Sequence, residues 1–496
     1  MKRKPLTRIV TFLGALCILS GCEGYKKKDA PEEPLNILWI NADDLGRELA
    51  CYGNPDVKTP NLDQLAREGV LYANAYAASP TCSPSRTSLI TGVYPTAVRG
   101  LNHRTMEKPP LPEGIVPITE LFQQAGYFCT NGKAINLSKK GKEDFNFQTE
   151  NLFDGTDWRQ RAEGQPFFAQ VQIKEPHRTF THDLTNPIDP ETVTLPACYP
   201  DHPLLKADWA WYLESVQKCD ALLGKILDRL EKDGLADRTV VFFFGDHGRP
   251  HVRDKQFLYE GGVQIPLIVR YPKHLSPNTK RDELVSLVDV VATSLDIANI
   301  PLPDYLDGQV FIGEKAKKRE YVFGFRQRTG DAVEDMRSIS DGQYKLIWNR
   351  TPDRPWMQLS SYKKLQYPAF TLYRVLHKQG KLGAPYNQFM AATKPEIELY
   401  DLKSDPSEYH NLAQKEAHQE LKNELFDALK TNLSVFEKNW KDESEAARKK
   451  GIEGSENYYQ KAIKTRRPGL SPDATDEEIL KYWEDLLLTK ENILTK

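Results

Sequence analysis

The chain has 496 residues, 40% of them apolar and 27% charged, with a net charge of −2 at pH 7. That length suffices for two domains with a sizeable core. The near-neutral balance speaks against a general nucleic-acid binder, and composition by itself assigns no chemistry.

At the N-terminus, Lys2, Arg3, Lys4 and Arg8 precede an apolar run from Ile9 to Leu19. The run is too short to span a bilayer, so residues 1–21 read as a signal peptide. Its end, Leu19-Ser20-Gly21-Cys22, resembles a bacterial lipobox with Cys22 as the lipidated first residue of the mature chain. Several acyl chains on one cysteine would anchor the protein stably. The expectation is an exported, membrane-anchored lipoprotein, periplasmic or on the cell surface of a bacterium. Residues 22–34 are charged and proline-bearing, as a tether should be. Cys51, Cys129, Cys198 and Cys219 show no zinc-like spacing and read as core cysteines, with one disulfide as the alternative in an oxidising compartment.

Asn36–Asn41 is a compact apolar run and predicts a buried strand, with Asp43 and Asp44 at its C-terminal end. In open α/β sheets that end is where ligands bind. Two adjacent carboxylates repel unless a cation sits between them. Thr59-Pro60 starts a helix that Gly69 closes. Residues 81–92 contain Cys82, Pro84 and Arg86 as a Cys-x-Pro-x-Arg core. Pro84 suits a first helical turn and Gly92 a helix end, so Cys82 is expected at a helix N-terminus, which favours an anion. After a helix from Ile118 to Gly126 and a short strand at Tyr127–Thr130 come Gly132 and Lys133. Pro166–Ile173 predicts another buried strand, followed by Glu175-Pro176-His177-Arg178. Apolar residues spaced three and four apart from Trp209 to Leu230 predict an amphipathic helix. Thr239–Phe244 reads as a strand covered on both faces, and it runs into Asp246-His247. Ile265–Arg270 predicts a further strand and Leu287–Leu295 a helix. The section 351–393 reads as irregular insertions. Arg337–Trp348 reads as a hairpin turning at Asp341-Gly342, and helices are expected over 414–450 and 475–490, the latter opening on a Thr475/Glu478 capping box.

The Cys82–Arg86 stretch resembles the signature of the type I, formylglycine-dependent sulfatases, of the alkaline-phosphatase-like superfamily. Thr59–Asp63, Gly132-Lys133, Pro176-His177, Gly245–His247, Lys255–Gly262 and Glu398–Ala413 are similar to further segments of that family. The Glu-Pro-His-Arg string is similar to Asp-Pro-His-Arg of heparan N-sulfatase. Agreement at several separated motifs is much harder to obtain by chance than any one of them.

The resemblance implies an α/β fold, a mixed and mostly parallel sheet between helices with a smaller C-terminal α+β subdomain. The expected division is 35–325 for the catalytic domain, 326–440 for an antiparallel-sheet subdomain and 441–496 for a helical extension. It implies that Cys82 is oxidised to formylglycine by a maturase, and that Asp43, Asp44, Asp246 and His247, with the modified Cys82, hold a divalent cation. Ca²⁺ is the expected ion, with Mg²⁺ or Mn²⁺ as alternatives. Arg86 would steady the modified residue, Lys133 and Lys255 would neutralise sulfate oxygens, and His177 would protonate the leaving group. His103, Arg104 and Arg178 are candidates for binding the rest of the substrate. The family's histidine after the Gly-Lys pair is absent, since Ile135 and Asn136 stand in its place, which leaves the base for sulfate release unassigned.

The predicted function is hydrolysis of sulfate esters or N-sulfates of carbohydrates, such as glycosaminoglycans, at a membrane and without nucleic acid. Two alternatives stand beside it: a phosphodiesterase or phosphonate monoester hydrolase of the same superfamily, and a non-catalytic, lipid-anchored glycan-binding protein.

Overall fold

The computed structural model describes Met1 and residues 33–489. The signal peptide, Cys22 and nearly all of the tether therefore lie outside the described residues. Asn36–Ala42 forms β1, Val70–Tyr76 β2, Phe128–Lys133 β3, Asn136–Lys140 β4, Phe167–Ile173 β5, Thr239–Gly245 β6, Gln264–Arg270 β7 and Thr279–Ser286 β8. They make one sheet in the order β4-β3-β5-β1-β6-β7-β2-β8. The central run β3-β5-β1-β6 is parallel. β7 is antiparallel to both its neighbours, and β4 is antiparallel to β3.

Helices cover both faces. They are Pro60–Glu68 (α1), Cys82–Thr91 (α2), Ile118–Gln124 (α3), Pro203–Lys232 (α4), the single turn Glu260–Val263 (α5) and Leu287–Ile297 (α6). Side chains alternate along a strand. Leu38 and Ile40 of β1 therefore pack with Val171, Val241 and the inner faces of α1 and α4. Ile37 and Trp39 pack with Phe168, Phe242 and the buried residues of α2, α3 and α6. A strand buried on both faces has no polar side to show, which is why β1 and β6 are almost unbroken apolar runs.

The second sheet is antiparallel, in the order β12-β11-β10-β9, from Val322–Arg326 (β9), Met336–Ser340 (β10), Tyr344–Asn349 (β11) and Ile397–Asp401 (β12). The β10–β11 hairpin turns at Asp341-Gly342 as the sequence predicts, with Gly342 at φ 96°. Two expectations need correction. The stretch 351–393 is not irregular throughout: Ser361–Gln366 (α7) and Pro368–Lys378 (α8) are helices, with Phe370, Leu372 and Tyr373 in the core. The helix expected over 414–450 is two helices, Gln419–Phe436 (α9) and Glu445–Arg466 (α10). Ser444 starts the second, its side chain accepting from the Ala447 N–H, a stronger local signal than continued periodicity. The last helix, Asp476–Leu488 (α11), opens on the predicted Thr475/Glu478 box.

Helix α2 is buried along its whole length and ends at Gly92 with φ 73°, its N–H donating to the Ser88 carbonyl at 2.8 Å. A Cβ at Gly92 would lie 2.4 Å from Leu306 Cδ2 and 3.0 Å from Val291 Cγ1. Gly92→Val should therefore destabilise the protein by at least about 2 kcal/mol, combining left-handed backbone strain with overpacking. Denaturant titration of the purified variant checks this.

Candidate active site

Three neighbouring parallel strands deliver their C-terminal residues to one point. The hydrogen-bond ladder continues past the strand ends, Asp43 N–H donating to Ile173 O and Asp246 N–H to Ala42 O, both at 3.0 Å. This fixes Asp43, Asp44 and Asp246 side by side, with oxygens within 4.8 Å of one another and all three residues buried. Asp44 sits at φ 65°, and its N–H donates to Asp246 Oδ1 at 3.0 Å.

Cys82 opens α2 beside this cluster. Its Sγ lies 3.8 Å from Asp43 Oδ1, 3.9 Å from Asp44 Oδ1, 3.2 Å from His247 Nε2 and 3.5 Å from Lys255 Nζ. The remaining described cysteines are free thiols elsewhere in the chain, and burial pushes those of Cys51 and Cys198 up to about 12.

Buried carboxylates need compensation, and each one has it. Arg86 Nε donates to Asp246 Oδ2 at 2.9 Å, and its Nη2 lies 3.4 Å from Asp43 Oδ1. Gln172 Oε1 accepts from Arg86 Nη1 at 2.7 Å and sets the plane of the guanidinium. Lys255 Nζ is 2.6 Å from Asp44 Oδ1. Burial alone would raise the carboxyl pKa of Asp43 and Asp44. Lys142 and Arg86 at the first, and Lys255 at the second, overcome it and hold both well below the carboxylate range.

A divalent cation suits this donor set. Three carboxylates are hard oxygen ligands, and Asp44 Oδ2 is buried without a hydrogen-bond partner among the described residues. His247 Nδ1 lies 2.9 Å from the Gly248 carbonyl, so the proton belongs there and Nε2 is free to ligate.

Lys133 does not join the site. It is exposed at the end of β3, where a bulge shifts the register with β4. Ile135 and Asn136, which stand where the family has a histidine, are exposed too, Ile135 at 80%. The site lysine is Lys142, whose Nζ lies 2.9 Å from both oxygens of Asp43. Gly-Lys pairs flank β4 on both sides, and the one that reaches the cluster is Gly141-Lys142 rather than Gly132-Lys133. Asp144 follows it and clamps Arg104 through both carboxylate oxygens. His103 stands with Asp144 and Cys82, their ligand atoms within 4.8 Å of one another. Burial and the adjoining Arg104 push its imidazole well below the ordinary histidine value.

His177 is where the sequence expects it. Its Nδ1 lies 2.5 Å from Arg178 O, and its Nε2 points to Asp44 Oδ2 at 3.9 Å. Burial lowers its pKa more than Asp44 raises it. Arg178 borders the same cavity but is not free for substrate. Its guanidinium grips both oxygens of Asp208, donates to the Pro250 and Gln366 carbonyls, and lies over Phe180 and Tyr367. It is a structural tie, with four of its five guanidinium N–H groups engaged by the protein.

The sheet and the carboxylate-lined strand ends define a hydrolase fold of the alkaline-phosphatase-like kind. The sulfatase family model matches residues 35–300, and the model for the C-terminal region of N-sulphoglucosamine sulphohydrolase matches residues 245–359. An ulvan-active sulfatase of Formosa agariphila is 32% identical over 80% of this chain and 74% of its own. Human N-sulphoglucosamine sulphohydrolase is 28% identical over 77% of this chain and 86% of its own. A solved complex with the substrate D-glucosamine-2-N,6-O-disulfate superimposes with a TM-score of 0.60 at 18% identity, covering 82% of this chain and 99% of that one. The chain belongs to the sulfatase family. It is a hydrolase of sulfate esters or sulfamates, in a family that generally uses a metal and a formylglycine.

Two substitutions separate the lysines. Lys142→Ala should lower kcat/KM by about 10²-fold or more, the usual loss when a group compensating transition-state charge is removed, whereas Lys133→Ala should stay within about two-fold. Steady-state desulfation assays read both. Arg178→Ala should unfold more easily by about 3–5 kcal/mol, because Asp208 is left buried and unpaired; a chemical melt measures it.

Proposed function

We propose that the protein is a carbohydrate sulfatase that uses formylglycine at position 82 and Ca²⁺, with Mg²⁺ or Mn²⁺ as substitutes, held by Asp43, Asp44, Asp246 and His247. The observation that carries this reading is Cys82 itself, at a helix N-terminus and within 3.9 Å of Asp43, Asp44, His247 and Lys255. Its substrate class is sulfated glycan of glycosaminoglycan type, O-sulfated or N-sulfated. The support is the activity of its relatives, among them N-sulphoglucosamine sulphohydrolase and N-acetylgalactosamine-6-O-sulfatase. Export as a lipoprotein anchored through Cys22 rests on the sequence motif and would place the enzyme where polymeric glycans are met.

The residues divide the work as follows. Oxidation and hydration of Cys82 supply an oxygen nucleophile in place of sulfur. A divalent cation at the carboxylates would acidify that oxygen and polarise the sulfate. Arg86 keeps Asp43 and Asp246 fixed against that position. Lys142 and Lys255 face the same point and compensate charge on the sulfate oxygens as the S–O or S–N bond breaks. His177, with Nε2 turned to the pocket, gives a proton to the leaving oxygen or nitrogen. The sulfate group brings the negative charge that restores that proton against the effect of burial. His103, neutral through burial and close to residue 82, is the proton acceptor for sulfate release, the role the sequence left without a residue.

Cys82→Ala should abolish turnover of every sulfated sugar, and mass spectrometry of the wild-type peptide should show loss of the thiol. An enzyme that carries the modification yet leaves a panel of sulfated saccharides intact, while cleaving a matched phosphodiester, would overturn the reading. Chelation should remove activity and lower the melting temperature together, since an ion bound only by the folded state stabilises it by mass action. Excess Ca²⁺ should restore both in a thermal melt and an activity assay.

A further inference from the structure

The cavity above Cys82, about 510 Å³, is walled on one side by α10 through Gly451, Gly454, Ser455 and Tyr458. Those positions are spaced by three and four and so share one face of the helix. Helix α10 lies beyond the segments matched by either family model, which end at 300 and 359. The volume is that of a site for a ligand larger than one sulfate group.

Charge within the cavity is unevenly settled. At its buried end every cation already has a carboxylate: Lys255 with Asp44, Arg178 with Asp208, and Arg328 with Glu443. Arg104 is paired with Asp144. Lys174 and Arg466 also line the cavity, and both are exposed. Neither meets a carboxylate among the described residues; Lys174 Nζ has only the Thr179 carbonyl, at 3.4 Å. Arg466 Cζ stands 5.6 Å from the centre of the Tyr458 ring, which is itself 41% exposed. A planar guanidinium beside an exposed aromatic face offers bidentate hydrogen bonds to an oxyanion and an apolar surface for sugar C–H groups.

Gly454 shows that the space is kept open. A Cβ there would meet no atom within 4 Å, so nothing in the fold requires glycine. A mid-helix glycine nonetheless costs about 0.8–1 kcal/mol against alanine. Gly451 differs, since its Cβ would fall 2.7 Å from Arg328 Cζ. The bare helix surface at 454 widens the groove between Cys82 and the Tyr458–Arg466 pair.

We infer that α10, with Lys174, forms a second anion-binding subsite that engages a carboxylate or sulfate on the sugar next to the one being desulfated. The inference rests on the carbohydrate-sulfatase reading and makes the preferred substrate a polyanionic disaccharide or longer chain.

The test compares kcat/KM on a monosulfated monosaccharide with kcat/KM on disaccharides whose neighbouring unit carries a uronic carboxylate, a second sulfate, or neither. Wild type should prefer one or both anionic disaccharides over the neutral one by about tenfold or more, as a charge-assisted contact gives. Which arm shows it tells carboxylate from sulfate. Gly454→Leu, which fills the groove, and Arg466→Gln should each cut the ratio of anionic disaccharide to monosaccharide by about tenfold, chiefly through KM. Thermal melts establish that both variants fold. Equal preference for charged and neutral disaccharides in wild type, or losses of the same size on monosaccharide and disaccharide in the variants, would overturn the inference and leave the sulfatase reading standing. A modified wild type inert toward every sulfated sugar would instead sink that underlying reading and this one with it.

Discussion

Three carboxylates forced together in a dry place govern this structure. Like charges at that spacing would drive one another to protonation, and burial would push the same way. Asp43 and Asp44 are held ionised against burial, and the cations that compensate the cluster arrive from three separate parts of the chain: Arg86 from α2, Lys142 from the loop after β4 and Lys255 from the loop after β6. Arg86 is the link that matters for reactivity. By touching both Asp43 and Asp246 it ties the first turn of α2 to the ends of β1 and β6. Cys82, four residues earlier on the same helix, is thereby held against the cluster. The position of Cys82 is thus a consequence of charge compensation, not a separate feature added to the fold.

The carboxylates and the strands that carry them could be read from the sequence because physics leaves little choice there. A parallel strand covered on both faces must be largely apolar, so β1 and β6 announce themselves, and β5 does so despite Gln170 and Gln172. The first polar residues after them must sit at the sheet edge. Cys82 at a helix start followed from Pro84 and Gly92 in the same way. Lys133 went wrong for an equally physical reason. At the end of a strand, one residue of register decides which face a side chain takes, and the bulge between Gly132 and Lys133 shifts the register there. The Gly141-Lys142 pair, two residues before Asp144, is the available signal. Arg178 misled differently: an arginine beside a candidate catalytic histidine looks like a substrate ligand, but Asp208 on α4 occupies it.

The helical end of the chain was the least legible part. Helix α10 contains two glycines and few apolar residues, so its periodicity is weak and the sequence predicts a helix over 414–450 with no break between α9 and α10. Its wall of the cavity exists only through tertiary contact. Gly451 packs against the Arg328 guanidinium, and Arg328 pairs with Glu443 just before the helix begins. No local pattern encodes that arrangement.

These two halves of the site differ in what they can distinguish. Around Cys82 the carboxylates and cations compensate one another, so this end recognises the sulfate group and the bond to be broken but has little left for reading the sugar beyond. Discrimination needs groups whose partners are supplied by the substrate, and a buried site that has already paired its charges cannot provide them. The exposed side of the cavity can. Among the described residues Lys174 and Arg466 have no carboxylate of their own, and Gly454 leaves the helix surface bare. A chemistry fixed by the central sheet is therefore joined to a selectivity set by a late, weakly patterned helix. Changes in that helix can redirect the enzyme among sulfated glycans without disturbing the charge balance on which the fold depends.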